Sequence, residues 1–168
     1  MRATITTVVF LATAITLTGC GRSDEKTVTT SDGSTVTAKT EGDGSASYVA
    51  KSADGKTTVS MGTGAQANTK TPAYAPLFPG ATVETSVNAG GENAGGMVMF
   101  KTNATAASVI DFYKKSTAAS GMSNVLDMTS GDSMSYSAKD EKTNHAVTVV
   151  ATKADGATNV QLTWSDHG

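Results

Sequence analysis

One cysteine, three prolines and one tryptophan are all that 168 residues contain of those types. A single thiol excludes an internal disulfide framework, so any fold must rest on packing alone. Charge gathers nowhere: 13 basic side chains stand against 15 acidic ones, and the longest basic run is the pair Lys114-Lys115. Phosphate neutralisation, on which nucleic-acid binding depends, therefore has no footprint. Adhesion to anionic lipid heads through a polybasic patch is equally unsupported. No stretch offers the roughly 20 strongly apolar residues that a membrane-crossing helix needs. Between residues 21 and 70 there is no Leu, Ile or Phe, and such a segment cannot build a core of its own.

The cysteine stands at position 20, at the end of "MRATITTVVFLATAITLTGC". Arg2 lies beside the amino terminus, an apolar run follows that is densest from Val8 to Leu17, and small residues precede the cysteine. That order is an n-region, an h-region and a processing site, so residues 1–19 read as an export signal. A catalytic cysteine needs a base and an orienting group beside it, and an idle thiol behind an ordinary cleaved signal is the plainer alternative. Leu17-Thr18-Gly19-Cys20, however, resembles the lipobox of bacterial lipoproteins. The resemblance implies that the Cys20 sulfur takes a diacylglycerol, that the chain is cut before it, and that the new terminus is acylated. It implies a cell-envelope protein held on a membrane by lipid. Because Gly21 rather than aspartate follows, the implied membrane is the outer one, on its periplasmic face, where a cell has two. Loss of Arg2 with the signal leaves a mature chain about three units negative.

The mature sequence changes character along its length. Residues 20–61 are Thr, Ser, Gly, Asp, Lys and Ala, with Asp32-Gly33, Asp43-Gly44 and Asp54-Gly55 recurring every 11 residues. Asp-Gly favours two-residue hairpin turns, and the intervening stretches have β-propensity. Two readings stand, a short-strand β-meander or a flexible stalk. Two-residue turns align Val28, Thr37, Ala50 and Val59 on one faintly apolar face, with Tyr48 and Met61 one pair along. Val36, Ala38 and Val49 then fall on the wet face. A calcium repeat would need several oxygen ligands per loop and a nine-residue period, and finds neither. Residues 62–76, with Pro72 and Pro76, read as a linker.

Residues 77–168 form the main domain. A strand from Ala81, a glycine-rich loop from Gly90 to Gly96 and a strand "GMVMFKT" lead to the one clear helix. Thr105 is its N-cap, Val109, Ile110 and Tyr113 follow at helical spacing, and Gly121 ends it. The period then returns to two. A turn at Ser130-Gly131-Asp132 sets Met128 opposite Met134 and Leu126 opposite Tyr136. A second at Asp155-Gly156 puts Val160, Leu162 and Trp164 on one face. The expected fold is α+β: an antiparallel sheet in the order ββαββββ with one helix packed on a face. "FPGA" (Phe78 to Ala81), "MFKT" (Met99 to Thr102) and "FYKK…SGM" (Phe112 to Met122) make this half similar to α+β domains of small bacterial envelope proteins. That resemblance implies the fold and brings no site residue with it.

Candidate chemistry is thin. The Gly90–Gly96 loop joins strand to strand, whereas a phosphate cradle must open a helix. His145 and His167 lack ligand-like neighbours at zinc spacing. Asp111 sits alone on the helix, and Asp140 and Glu141 belong to a turn. Methionine is the one unusual count, seven in all, and thioethers suit Cu(I). Met97 and Met99 alternate with Val98 and Phe100, though, as a strand covered on both sides would. The reading is a non-enzymatic envelope lipoprotein with no cofactor, bound to the membrane through Cys20 and to an envelope protein as partner. The alternative is a periplasmic Cu(I) protein using its methionines.

Overall fold

The computed structural model describes residues 23–67, 70–91 and 93–167, so the stretch read as an export signal and Cys20 lie outside the described residues. From Asp24 the chain is a series of hairpins. Strands β1 (Asp24–Thr29), β2 (Thr35–Thr40), β3 (Ala46–Lys51) and β4 (Thr58–Thr63) form the meander. In each turn an aspartate accepts the amide two residues on: Asp32 from Ser34, Asp43 from Ser45, and Asp54 from Lys56. The glycine between takes the positive φ that a side chain resists, +85°, +82° and +67° in turn.

The loops are longer than the Asp-Gly pairs alone. Thr30 closes on Ser34 and Glu41 on Ser45 around three-residue loops, while Ser52 closes on Thr57 around four. A three-residue loop moves the register by one, and a one-residue slip turns a strand over. Strand β2 is turned twice, once at each end, and so it alone is reversed from expectation. Val36 and Ala38, not Thr37, join the apolar face, where Val28 pairs Val36, Val36 pairs Ala50 and Ala50 pairs Val59.

Hydroxyls of Thr30, Ser45 and Ser52, then the amides of Ser34, Ser45 and Lys56, hold the three turn carboxyls below their ordinary value of 3.8. A depressed folded value means that these bonds support the fold above that pH and are lost as pH falls through the lower folded value. The amide resonances of Ser34, Ser45 and Lys56 should therefore move together in acid, below the ordinary value of 3.8. Resonances that hold still until the whole protein unfolds would show that the carboxylates do not secure the turns.

The meander continues into the main domain as one sheet. Strand β5 (Thr82–Gly90) pairs with β4, and β6 (Asn93–Thr102) pairs with β5. The single helix α1 (Ala106–Ala119) then carries the chain to the far edge, where β7 (Ser123–Ser130) starts a return through β8 (Ser133–Lys139), β9 (Ala146–Ala154) and β10 (Ala157–His167). The order is β1-β2-β3-β4-β5-β6-β10-β9-β8-β7, ten strands and antiparallel throughout. Among the described residues the protein is thus mostly antiparallel sheet with one mid-chain α-helix, and the repeat region and main domain share a single sheet. The stretch 62–76, read as a linker, is no free connector: β4 runs to Thr63, and Tyr74 and Ala75 are buried in the core.

Helix α1 is bounded as its sequence directs. The Thr105 hydroxyl accepts the Ser108 amide at 3.1 Å. At the other end Met122 N–H reaches the Thr117 carbonyl and Gly121 N–H the Ala118 carbonyl, with Gly121 at φ +77°. Val109, Ile110, Tyr113 and Thr117 are its buried face. They meet Val98, Phe100, Val147, Val149, Val160, Leu162 and Trp164 from one face of the sheet. Each such large side chain contributes about 1.5–3 kcal/mol by leaving water. A 2.6 Å hydrogen bond between the Thr117 and Tyr136 hydroxyls fixes the helix to β8.

Among the described residues only that face is covered. The β7–β8 turn holds two residues, Gly131 and Asp132, so Met128 pairs with Ser135 and Leu126 with Ser137. The expected pairs Met128–Met134 and Leu126–Tyr136 do not form, and Met128 and Leu126 are exposed on the uncovered face. Met99 is exposed there too. The central strand β6 is therefore covered on one side, not two. The glycine run is not the loop it resembles either. Gly90 ends β5, and Gly95 and Gly96 lie inside β6.

Candidate functional site

At the amino-terminal end of α1 the helix and the sheet diverge. The Thr158 hydroxyl donates to the Ala104 carbonyl at 2.7 Å, and the Thr102 hydroxyl accepts the Ala104 amide at 3.2 Å. Both threonines are buried, and together they hold the Asn103–Thr105 connection across the start of β10. Opposite it, Lys153 N–H donates to the Asp132 carbonyl at 3.0 Å and fixes the β7–β8 turn against β9. Between these walls lies an open groove of about 410 Å³, within the roughly 300–1,000 Å³ common for ligand sites. Ala104, Ala106, Met134 and Ala157 give it apolar lining, and Thr129, Asp132, Lys153 and Thr158 give it polar edges.

Of those polar residues only Asp132, within the turn read at Ser130-Gly131-Asp132, stood out in the sequence. The others sit beside features that did: Thr129 precedes that turn, and Lys153 and Thr158 lie on either side of Asp155-Gly156. The missing information was that both turns and the Thr105 cap come to one end of the fold.

The opposite end holds a polar cluster around His145. Its ring stacks on Tyr74 with centroids 5.0 Å apart, and its Nε2 lies 3.9 Å from Asp166. The Tyr74 hydroxyl donates to the Asp166 carboxylate and to the Ser165 carbonyl. Burial first, and the Asp166 carboxylate next, push the Tyr74 phenol above its ordinary value, so it stays a donor. The cluster pins the 72–76 segment to the end of β10. His145 is thus not a bare strand-end residue. His167 ends β10, Asp111 is exposed on α1, and Asp140 accepts the Lys142 amide within its turn while Glu141 is exposed. Among the described residues no group of three or more His, Cys, Asp or Glu is placed to hold a metal ion.

The methionines divide. Met122 is buried in the core and Met134 packs against it. Met61 and Met97 share the uncovered face, each paired with Val87 between them, and Met99 follows on the same side.

A family model described as START domain-like matches residues 82–165, which is half of the chain and runs from the first residue of β5 into β10. No curated protein and no solved structure matches.

Proposed function

The chain belongs to the START domain-like family, and from that premise we propose that it is a non-catalytic binding module of the cell envelope. Its ligand is a small amphiphile, apolar in body with a hydrogen-bonding head, held where α1 parts from the sheet. The groove between Ala106, Met134, Lys153 and Thr158 carries this reading. START-like domains are typically binding modules, and this groove offers apolar walls with a few polar groups at the rim, as ligand sites do. The module is tethered by lipid on Cys20, at the periplasmic face of the outer membrane where there are two membranes, and an envelope protein is its partner. The lipobox resemblance at Leu17 to Cys20 supports the tether.

Dodecanoate titrated into the mature protein should shift the methyl resonances of Ala106, Ala107 and Met134. Ala106→Leu, which fills the groove, should weaken binding by about tenfold, the loss that 1.4 kcal/mol brings. Shifts confined to Met61 and Val59, or affinity untouched by Ala106→Leu, would remove the groove from the reading. The alternative, Cu(I) held by thioethers, draws on Met61, Met97 and Met99 sharing a face. Titration with Cu(I) decides it: absence of tight binding ends that alternative.

A further inference from the structure

The sheet face opposite α1 has no layer over it among the described residues. Val28, Val36, Tyr48, Val59, Met61 and Met99 stand on it, each about 40% exposed. The registers bring them into adjacent rows across β1 to β6. At about 4.8 Å between strands that is roughly 24 Å of surface. The other face of the meander is mostly Thr, Ser and Lys, with Glu25 and a single valine, Val49, and with Thr27 hydrogen-bonded to Thr37 across it. The meander thus has one side that gains by leaving water and one that does not.

Two observations select the occupant. The charged side chains of the apolar face cancel: Asp24 and Lys26 lie on β1, and Glu84 pairs with Lys101 at 2.6 Å. A neutral apolar surface suits lipid without needing anionic heads. Second, Cys20 precedes Asp24 by four residues, a reach of at most about 14 Å. A chain tethered so closely meets lipid at an effective concentration that no free partner matches. Tyr48 adds the amphipathic ring favoured at a membrane–water interface.

We infer that this face lies on the membrane surface, so that the protein is held flat by its sheet as well as by its anchor. The inference rests on lipidation of Cys20. Helix α1 and the groove then point away from the bilayer, with the binding site open to the aqueous side.

The test uses the full mature protein, lipid attached, in phosphatidylcholine vesicles. With the Cys20 sulfur acylated, a nitroxide can be placed on the single thiol of Met61→Cys or Val36→Cys, and of Ser60→Cys or Thr37→Cys on the other face. Labels at 61 and 36 should lose accessibility to an aqueous nickel chelate several-fold and gain it to oxygen, while labels at 60 and 37 stay open to the chelate. Equal access on both faces, in protein whose mass includes the lipid, overturns the inference and leaves the anchor standing. Label–label broadening at position 61 between molecules would assign the face to a second copy and also overturn it. An unmodified Cys20 mass removes the anchor, and the inference falls with it. Matching far-UV circular dichroism confirms that each exposed-site variant is folded.

Discussion

Exported through an ordinary cleavable signal so that it begins at Gly21, the protein will be recovered in the soluble fraction, while the native chain stays with the membrane. Buried acyl chains contribute about 0.8 kcal/mol per methylene, so one chain binds reversibly and two or more hold firmly. Among the described residues no helix is long and apolar enough to cross a bilayer. The uncovered sheet face is made of side chains already more than half buried, and its contact with lipid is a weak adsorption once the tether is gone. A carbonate wash should therefore strip the Gly21 chain from membranes and leave the native protein in place. Intact mass supplies the second readout, since the native chain must carry diacylglycerol and lack residues 1–19. Native material with a free thiol, or a Gly21 chain that resists the wash, would show that Cys20 is not the anchor.

How far the fold was legible varied with what each signal depends on. The ends of α1 were readable because caps are local: Thr105 and Gly121 act within one turn of themselves. The β9–β10 turn was readable for the same reason. Asp155 and Gly156 both take positive φ, 50° and 80°, as a two-residue hairpin loop requires. Where the loop length was one residue off, the strand joined by that loop turned over. At Asp32-Gly33 and Asp43-Gly44 the added residue turned β2 over, and at Gly131-Asp132 the missing one sent Met128 and Leu126 outward. Composition marked where the meander begins but not that its last strand would bond to β5, because backbone pairing carries no residue signature. The groove was the least legible part. It is formed by three segments distant in sequence, and its residues are common ones whose meaning comes from meeting at one end of the helix.

Gly96→Ala should destabilise the protein by about 1–3 kcal/mol, the usual cost of overpacking a filled core. A Cβ at Gly96 would stand 2.4 Å from Trp164 Cζ2, 2.8 Å from Cη2 and 2.6 Å from the Val87 carbonyl oxygen. Neither neighbour can yield cheaply. The indole is only 6% exposed and lies within the core, and the carbonyl belongs to the backbone of β5, which is paired with β6. The glycine run therefore serves close approach: absent side chains on β6 make room for the one tryptophan on β10, directly across from it. Gly90→Ala is the control. A Cβ there meets nothing nearer than the Thr58 carbonyl at 3.9 Å, and the substitution should be neutral or stabilising by a few tenths of a kcal/mol. Thermal melts of the two variants should separate by several degrees. Trp164→Leu opens a cavity and is destabilising alone, yet combined with Gly96→Ala it should cost less than the sum, because the ring is half of the clash. Strict additivity would locate the strain wholly at Val87, and a Gly96→Ala protein melting with the wild type would mean that the indole does not occupy the space above this strand.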